Sequence, residues 1–188
     1  MDTYVNTFFT KEECIEIINF CELNGKQFSY DPKSIWDCKR IYNDEFKNKI
    51  RDKFKELSNK NKLNLWFDFN HFNINDVNVS LTKYYDDRFL GLHLDSTSQF
   101  TTVIVLSDDF IGGDFATSKI IKETLDRFEN LNEITTHKIK CGDGISFNGN
   151  KLYHGVLPVK KGTRYSLNVW MTDTNHKYLP LKESKTLL

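Results

Sequence analysis

The sequence predicts an α+β fold in which two helices pack outside an antiparallel barrel or jelly roll. Two observations predict it: amphipathic helical spacing dominates the first third of the chain, and alternation of apolar and polar residues dominates the rest. A chain of 188 residues is long enough to bury one core without a disulfide or metal staple. No repeat, proline-rich linker or low-complexity segment divides it, so we expect a single domain over residues 1–188.

The first predicted helix lies in the segment TKEECIEIINFCELNG. Thr10 with Glu13 three residues later is the signature of a capping box, and Gly25 supplies an end. Because Cys14 and Cys21 are seven residues apart, they share one helical face and are expected in the core. The other residues expected on the apolar face are Ile15, Ile17 and Ile18.

The second predicted helix lies in NDEFKNKIRDKFKELSNKNK, with Asn43 or Asp44 as its N-cap. Its apolar residues recur at helical spacing and are Phe46, Ile50, Phe54 and Leu57. Together the two helices predict a helical flank over residues 1–62.

From residue 63 onward the apolar period changes to two, which predicts strands. The strand-like runs cover residues 63–74, 78–85, 100–107, 137–147 and 164–172. Residues 118–134 interrupt them with a helix-like stretch, which we interpret as an insertion on the rim. The sheet-rich core is therefore expected over residues 63–175.

Composition excludes several classes of partner. The 26 basic and 26 acidic residues cancel and form no long basic run, so neither nucleic acid nor an anionic membrane surface is expected to bind. A small neutral substrate or a short peptide fits better.

The four cysteines form no CxxC pair, and neither a signal peptide nor an apolar membrane span is found. We therefore expect a cytoplasmic protein.

The segment HLD places His93 and Asp95 two residues apart, so on a strand their side chains point to the same face. A pair at this spacing arises easily by chance, and it gains weight only with a third ligand. His154, in a polar turn ahead of the last strand, is the candidate. Two His and one carboxylate form the facial triad of non-haem Fe(II) oxygenases, which leaves positions open for a co-substrate and O2.

A candidate anion site follows the second histidine. Arg164 lies ten residues after His154, and Ser166 lies on the same face of the strand as Arg164. A guanidinium group matches a carboxylate with two parallel hydrogen bonds, and a neighbouring hydroxyl adds one more.

The order HxD, GG, H and RxS over residues 78–172 resembles the Fe(II)- and 2-oxoglutarate-dependent oxygenases. Within that superfamily, HLDSTSQFT and GVLPVKKGTRYSLNVW are closest to the prolyl 4-hydroxylase and procollagen lysyl hydroxylase group. The resemblance implies a double-stranded β-helix (jelly roll) with flanking N-terminal helices. It also implies that His93, Asp95 and His154 bind Fe(II) and that Arg164 pairs with the distal carboxylate of 2-oxoglutarate.

The same resemblance implies a dioxygenase that uses Fe(II), O2 and 2-oxoglutarate to hydroxylate an unactivated C–H bond, with ascorbate as a candidate accessory reductant. Tyr84 falls where prolyl hydroxylases place a tyrosine that hydrogen-bonds the co-substrate, although a packed strand aromatic is an equal alternative. With Tyr84, the expected co-substrate residues are Arg164 and Ser166.

The sequence leaves three functions open: two hydroxylases with different substrates and a non-catalytic binding protein. Collagen-type prolyl hydroxylases usually carry Lys where this chain has Arg164, and the insertion at 118–134 could close over a small ligand. We favour a prolyl or lysyl residue of a peptide or protein. The alternatives are a free amino acid or other small metabolite, and a non-catalytic, cupin-like binding protein.

Other residues receive structural interpretations. His71 and His137 lie in strand-like runs and are expected to be structural or solvated. Gly112 and Gly113 are expected to relax a tight connection or to admit a close backbone approach. The tryptophans considered for the site, and assigned first to the core, are Trp36 and Trp170.

Overall fold

The structure of the protein is a computed structural model that describes residues 3–28, 37–61, 77–95, 97–118 and 134–172. The helices in this part of the chain are α1 (Lys11–Asn24) and α2 (Asp44–Asn61). The strands, in chain order, are β1 (Tyr4–Thr7), β2 (Lys26–Gln27), β3 (Asp37–Ile41), β4 (Val77–Tyr84), β5 (Leu90–His93), β6 (Phe100–Val105), β7 (Ile111–Gly112), β8 (Phe115–Ser118), β9 (Thr135–His137), β10 (Asp143–Phe147), β11 (Tyr153–Val156), β12 (Val159–Lys161) and β13 (Arg164–Met171).

The strands form antiparallel sheets of unequal size. The larger sheet has the order β1-β10-β6-β13-β4-β3-β2, the smaller has the order β5-β11-β8-β9, and β12 pairs with β7. Tyr84 and Ile145 from the larger sheet share one buried cluster with Phe115 and Val156 from the smaller sheet. The two sheets therefore enclose a core between them, as in a double-stranded β-helix. The predicted jelly roll with flanking helices is confirmed.

A second core lies between the helices and the outer face of the larger sheet. Phe54 of α2 is fully buried, and its ring centroid lies 4.9 Å from that of Phe8 and 5.8 Å from that of Phe100 on β6. Strand residues on this face alternate with those that point toward the smaller sheet, as strand geometry requires. The helices thus support the larger sheet from outside and leave its inner face free to form a site.

Helix α1 begins as predicted. Thr10 Oγ1 accepts the backbone N–H of Glu13 at 3.2 Å, and the Glu13 carboxylate accepts the N–H of Thr10 at 2.8 Å, which completes the capping box. Cys14 and Cys21 are fully buried, but Ile15 is 59% exposed, so its expected place on the apolar face is wrong. The buried stripe of this helix passes through Cys14, Ile17 and Cys21, which lie three to seven residues apart.

Helix α2 also has the predicted cap and apolar face. Asn43 Oδ1 accepts the backbone N–H of Phe46 at 2.7 Å, which identifies Asn43 and not Asp44 as the N-cap. The four predicted apolar residues are all buried: Phe46, Ile50, Phe54 and Leu57. No helix in the described residues is long and apolar enough to cross a membrane.

Some sequence-based expectations differ from the structure. The run 137–147 is not one strand: His137 ends β9 of the smaller sheet, and Asp143–Phe147 form β10 of the larger sheet. Between them the chain turns at Gly142, whose φ of +86° favours glycine. The Gly142 carbonyl there accepts the N–H groups of Phe8 and Phe9. Within 1–62 the structure adds three strands, β1 to β3, to the expected helices. The run 63–74, most of the insertion, and the domain boundaries near residues 62 and 175 lie outside the described residues.

Candidate metal centre

Two neighbouring strands of the smaller sheet bring two histidines together. β5 and β11 pair antiparallel with His93 directly opposite His154, and the two ring centroids lie 4.3 Å apart. The register shifts between His154 and Val156, which marks a bulge next to the site. Gly155 admits this close approach, because a Cβ there would lie 2.4 Å from the carbonyl oxygen of Leu90.

Asp95 completes the cluster from the segment that follows β5. Its Oδ1 lies 3.6 Å from His93 Nε2, and its Oδ2 lies 3.4 Å from His154 Nε2. Among the described residues, these three side chains form a group whose ligand atoms all lie within 4.8 Å of one another. Strand β5 ends at His93, so no strand pairing holds the backbone at Asp95. The Asp95 N–H instead donates a hydrogen bond to the Gly149 carbonyl at 2.9 Å.

Backbone carbonyls orient both imidazoles. His93 Nδ1 donates to the Gly91 carbonyl at 3.0 Å, and His154 Nδ1 donates to the Leu152 carbonyl at 2.9 Å. With Nδ1 carrying the proton, Nε2 of each ring is left as the lone-pair donor that a metal requires. Such bonds on the far side of a ligating histidine are typical of metal sites.

Electrostatics keep the Asp95 carboxyl group ionised. Burial acts to raise the pKa of Asp95, but the neighbouring imidazoles of His154 and His93 outweigh it and hold this pKa well below its ordinary value. Burial lowers the pKa of His154 and favours its neutral form. Burial also acts to lower the pKa of His93, yet the adjacent Asp95 carboxylate raises it overall. Asp95 and His154 therefore favour the ionised carboxylate and the neutral imidazole that metal binding needs, and a metal would displace the proton that Asp95 favours on His93.

The site has one closed side and one open side. His154 is 4% exposed and lies against the rings of Phe115 and Phe147, with centroid distances of 6.0 and 4.5 Å. The side chain of His93, by contrast, is 37% exposed. A ligand from solvent therefore reaches the cluster past His93.

Arg164 is a buried cation on the inner face of the larger sheet. It is 1% exposed, and none of its three guanidinium nitrogens has a hydrogen-bond partner in the described part of the chain. Burial lowers the pKa of Arg164, partly offset by its interactions with Tyr84 and Asp114. A buried guanidinium without hydrogen bonds is costly, so the arrangement fits a site that an anion completes.

Ser166 and Tyr84 surround this cation. The Ser166 hydroxyl is buried and likewise lacks a partner among the described residues. Tyr84 lies opposite Arg164 in the strand register, with its ring centroid 5.6 Å from Arg164 Cζ. Tyr84 also lines the cavity that reaches His93 and His154. The three residues singled out in the sequence for a co-substrate therefore lie together, and Tyr84 links them to the metal ligands.

Glycine leaves room for Arg164. A Cβ on Gly113, whose φ is +67°, would lie 2.9 Å from Arg164 Cδ. Any larger residue would push the guanidinium stem aside, which fits the expectation that the Gly112–Gly113 pair admits a close approach.

The other candidates separate clearly from the site. His137 is not in the cluster, and its Nε2 instead lies 2.9 Å from Thr117 Oγ1. His71 and Trp36 lie outside the described residues. Trp170, which the sequence analysis favours as a core residue, lines the cavity at His93 and His154. Its neighbours on β13, Val169 and Met171, are buried on the other face of the sheet.

Sequence reasoning missed two residues that contact Asp95, namely Thr101 and Gly149. Thr101 is the last residue of the segment HLDSTSQFT. It lies two residues before Val103 on β6, so the period of two could have indicated that both side chains point to the same, inner face. For Gly149, in an ordinary Asn-Gly turn, no sequence signal was available.

Solved structures share this fold. A Pseudomonas putida prolyl-4-hydroxylase superposes with a TM-score of 0.63 at 14% identity, covering 90% of this chain and 91% of that one. The viral collagen prolyl hydroxylase of Paramecium bursaria Chlorella virus-1, in complex with 2-oxoglutarate, gives 0.59 at 19% identity, covering 89% and 94%. An oxidoreductase of the 2OG-Fe(II) oxygenase family from Burkholderia pseudomallei gives 0.55 at 16%, covering 90% and 84%.

A comparison with curated proteins gives no match. The sequence does match the family model of the 2OG-Fe(II) oxygenase superfamily over residues 79–172, which is half of the chain and includes the whole His-Asp-His cluster. The chain therefore belongs to the 2OG-Fe(II) oxygenase superfamily and is a 2-oxoglutarate-dependent oxygenase that uses Fe(II).

Proposed function

We propose that His93, Asp95 and His154 hold Fe(II), that Arg164 binds the distal carboxylate of 2-oxoglutarate, and that the enzyme hydroxylates a prolyl or lysyl residue of a peptide. Ser166 adds a hydrogen bond to the same carboxylate. The observation that carries the proposal is the buried Arg164, whose nitrogens have no partner among the described residues. It lies beside Tyr84, which lines the cavity at the two-histidine, one-carboxylate cluster.

The residues fit both groups. Two neutral imidazole nitrogens and one carboxylate suit Fe(II) and leave open positions for a co-substrate. A guanidinium and a hydroxyl suit a carboxylate, and Tyr84 lies between the two sites. Bound Fe(II) with 2-oxoglutarate supplies the redox chemistry that couples decarboxylation to succinate with oxidation of a C–H bond.

The protein's own groups orient the reactants and exclude water. Arg164 fixes one end of 2-oxoglutarate, so that the other end points toward the metal ligands. Phe115 and Phe147 shield His154 from water, whereas His93 is exposed on the side where substrate would enter. Trp170 offers a flat apolar surface to that substrate inside the cavity.

The substrate class is supported by the prolyl hydroxylases among the structural neighbours and by the open side of the site at His93. An extended peptide can lie across an open site without being enclosed.

The four free cysteines agree with the proposed cytoplasmic location, because reducing compartments keep thiols unpaired.

The metal assignment is tested by anaerobic Fe(II) titration with calorimetric detection. The wild-type protein should bind one Fe(II), and His93→Ala or His154→Ala should abolish binding, because each leaves only one imidazole ligand. Asp95→Ala should weaken it. His137→Ala is the matched control, since His137 bonds Thr117 and should leave the affinity unchanged. Stoichiometric iron in a His93 and His154 double variant would overturn the assignment.

The substrate is tested by succinate release from 2-oxoglutarate in the presence of candidate substrates. Pro-rich or Lys-containing peptides should stimulate release and gain one oxygen on Pro or Lys by mass spectrometry. Stimulation by free amino acids or other metabolites alone would overturn the peptide assignment in favour of a metabolite hydroxylase. Bound iron and 2-oxoglutarate without stimulation by any compound would favour a non-catalytic binding protein.

A further inference from the structure

Thr101 contacts the metal cluster without being one of its proposed ligands. It is the second residue of β6, points toward the smaller sheet and lines the same cavity as His93 and His154. Its Oγ1 lies 2.7 Å from Asp95 Oδ2. An ionised carboxylate only accepts hydrogen bonds, so the Thr101 hydroxyl is the donor, and bonds of this charged kind are about twice as strong as neutral ones.

Ser98 Oγ lies 3.1 Å from Thr101 Oγ1 and is a competing acceptor for the Thr101 proton, because its own proton is donated to the carbonyl of Phe100 at 2.8 Å. Asp95 Oδ2 is closer to Thr101 Oγ1 and charged, so it is the stronger acceptor. Thr101 and Ser98 are 1% and 2% exposed, so neither hydroxyl turns freely toward water. The hydrogen bond to Asp95 therefore comes from a buried hydroxyl with little access to competing water.

Gly149 packs against the same pair from the opposite side. Its carbonyl accepts the Asp95 N–H at 2.9 Å. A Cβ at this position would lie 2.2 Å from Thr101 Oγ1 and 2.9 Å from Asp95 Oδ2, both closer than real Cβ atoms approach. The turn thus fixes the Asp95 backbone and leaves space for the hydroxyl only because residue 149 has no side chain.

We propose that Thr101 is a positioning residue that fixes the rotation of the Asp95 carboxylate for metal binding. It engages Oδ2, so that the carboxylate faces both imidazoles before a metal arrives, and Gly149 keeps the pair in register. Such preorganisation is how outer residues raise the affinity of a metal site. The inference rests on the proposed function, because it takes His93, Asp95 and His154 as the ligands.

The decisive variant is Thr101→Val, which removes the hydroxyl and nearly keeps the shape. Its Fe(II) dissociation constant, measured anaerobically by calorimetry, should rise by about 10–100-fold, the usual cost of losing an outer-shell partner. Thr101→Ser keeps a donor at the same position and should restore most of the affinity.

Thr102→Val is the matched control. Thr102 is the next residue on the same strand and fully buried, and its hydroxyl lies 2.8 Å from Ser146 Oγ on the opposite face of the sheet. The same substitution there removes a comparable buried hydrogen bond, but it should leave the Fe(II) affinity unchanged.

A second readout separates positioning from general destabilisation. The visible absorption of bound Co(II) depends on its coordination geometry, so Thr101→Val should change this spectrum and Thr102→Val should not. Gly149→Ala, which keeps the hydroxyl but crowds it, should also weaken Fe(II) binding.

Affinity within about twofold of wild type in either Thr101→Val or Gly149→Ala, or an equal loss in Thr102→Val, would overturn the proposal. Failure of the wild-type protein to bind Fe(II), or unchanged binding in His154→Ala, would instead reject the proposed function on which it rests.

Discussion

Arg164 combines a permanent charge with almost complete burial, and the conflict between the two indicates what the residue does. A guanidinium does not lose its proton in a protein, so burial cannot be relieved by neutralisation. Its three nitrogens lack partners among the described residues. A bound carboxylate would remove this cost, which supports the proposed role of Arg164 in binding an anionic co-substrate.

We expect Arg164→Ala to weaken 2-oxoglutarate binding by about 2–5 kcal/mol, because it removes a buried charge-assisted pair. Iron binding should persist, since the metal ligands are untouched. Anaerobic calorimetric titration with Fe(II) measures the iron affinity, and a second titration of the metal-loaded protein with 2-oxoglutarate measures the co-substrate affinity. Arg51→Ala is the control, because Arg51 is paired with Asp52 on helix α2. Unchanged 2-oxoglutarate binding in Arg164→Ala would point to Lys160 or Lys161 instead.

Tyr84 either hydrogen-bonds 2-oxoglutarate through its hydroxyl or only packs through its ring, and removal of the hydroxyl oxygen distinguishes the two roles. If its hydroxyl binds 2-oxoglutarate, Tyr84→Phe should weaken that binding by about 0.5–1.5 kcal/mol, the usual net value of a hydrogen bond. If Tyr84 only packs, affinity should not change. We expect the loss, because Tyr84 is placed between Arg164 and the triad. Tyr85→Phe is the control, since the Tyr85 hydroxyl bonds Asp37 outside the cavity.

At the scale of elements, the two helices act as supports for the larger sheet, and their ends are set by side-chain caps. Local signals of this kind are readable from sequence, because the capping side chain and the backbone N–H that it accepts lie three residues apart. Thr10 with Glu13 is found where the sequence predicts it, and of the two predicted N-cap candidates of α2 the structure has Asn43.

We expect Asn43→Ala to lower the free energy of unfolding by about 1 kcal/mol, because the N-terminal amides of α2 lose their acceptor. Urea denaturation should show a lower midpoint with an unchanged slope. Asn59→Ala, an exposed position in the same helix, is the matched control and should change stability by no more than about 0.5 kcal/mol. Equal losses in both variants would contradict a capping role.

The strands were less predictable than the helices. The long alternating runs at β4, β6 and β13 were recognised, because eight or six residues give a clear period of two. Strands of two to four residues, such as β2, β7 and β11, carry too few alternations to stand out. Their existence depends on partners distant in sequence, which local patterns do not report.

At the scale of the whole molecule, the site lies where the two sheets face each other. His93 and His154 come from the smaller sheet, and Arg164, Ser166 and Thr101 come from the larger one. A metal with 2-oxoglutarate would therefore tie the sheets together. This explains why motif and spacing predict the His-Asp-His cluster but not Thr101 or Gly149, whose contacts with Asp95 exist only after the sheets have packed.

Ligand binding and stability are therefore expected to oppose each other at Arg164. In the ligand-free protein, Arg164→Met replaces a buried charge without hydrogen bonds by an apolar side chain of similar length. We expect this variant to be about 1–4 kcal/mol more stable than wild type when no ligand is bound. For a chain of this size, each kcal/mol raises the melting temperature by about 2–4 °C.

2-Oxoglutarate should reduce this difference by about 2.7 kcal/mol, and the order should reverse where the ligand-free difference is smaller than that. Anaerobic Fe(II) should stabilise both proteins, because the triad is intact in each. 2-Oxoglutarate at about 100 times its dissociation constant should add about 2.7 kcal/mol to wild type only. Calorimetric melting of both proteins, with and without each ligand, checks this. A ligand-free Arg164→Met protein that is less stable than wild type would show that packing of the arginine stem outweighs its buried charge. An equal response of both proteins to 2-oxoglutarate would show that the co-substrate binds elsewhere.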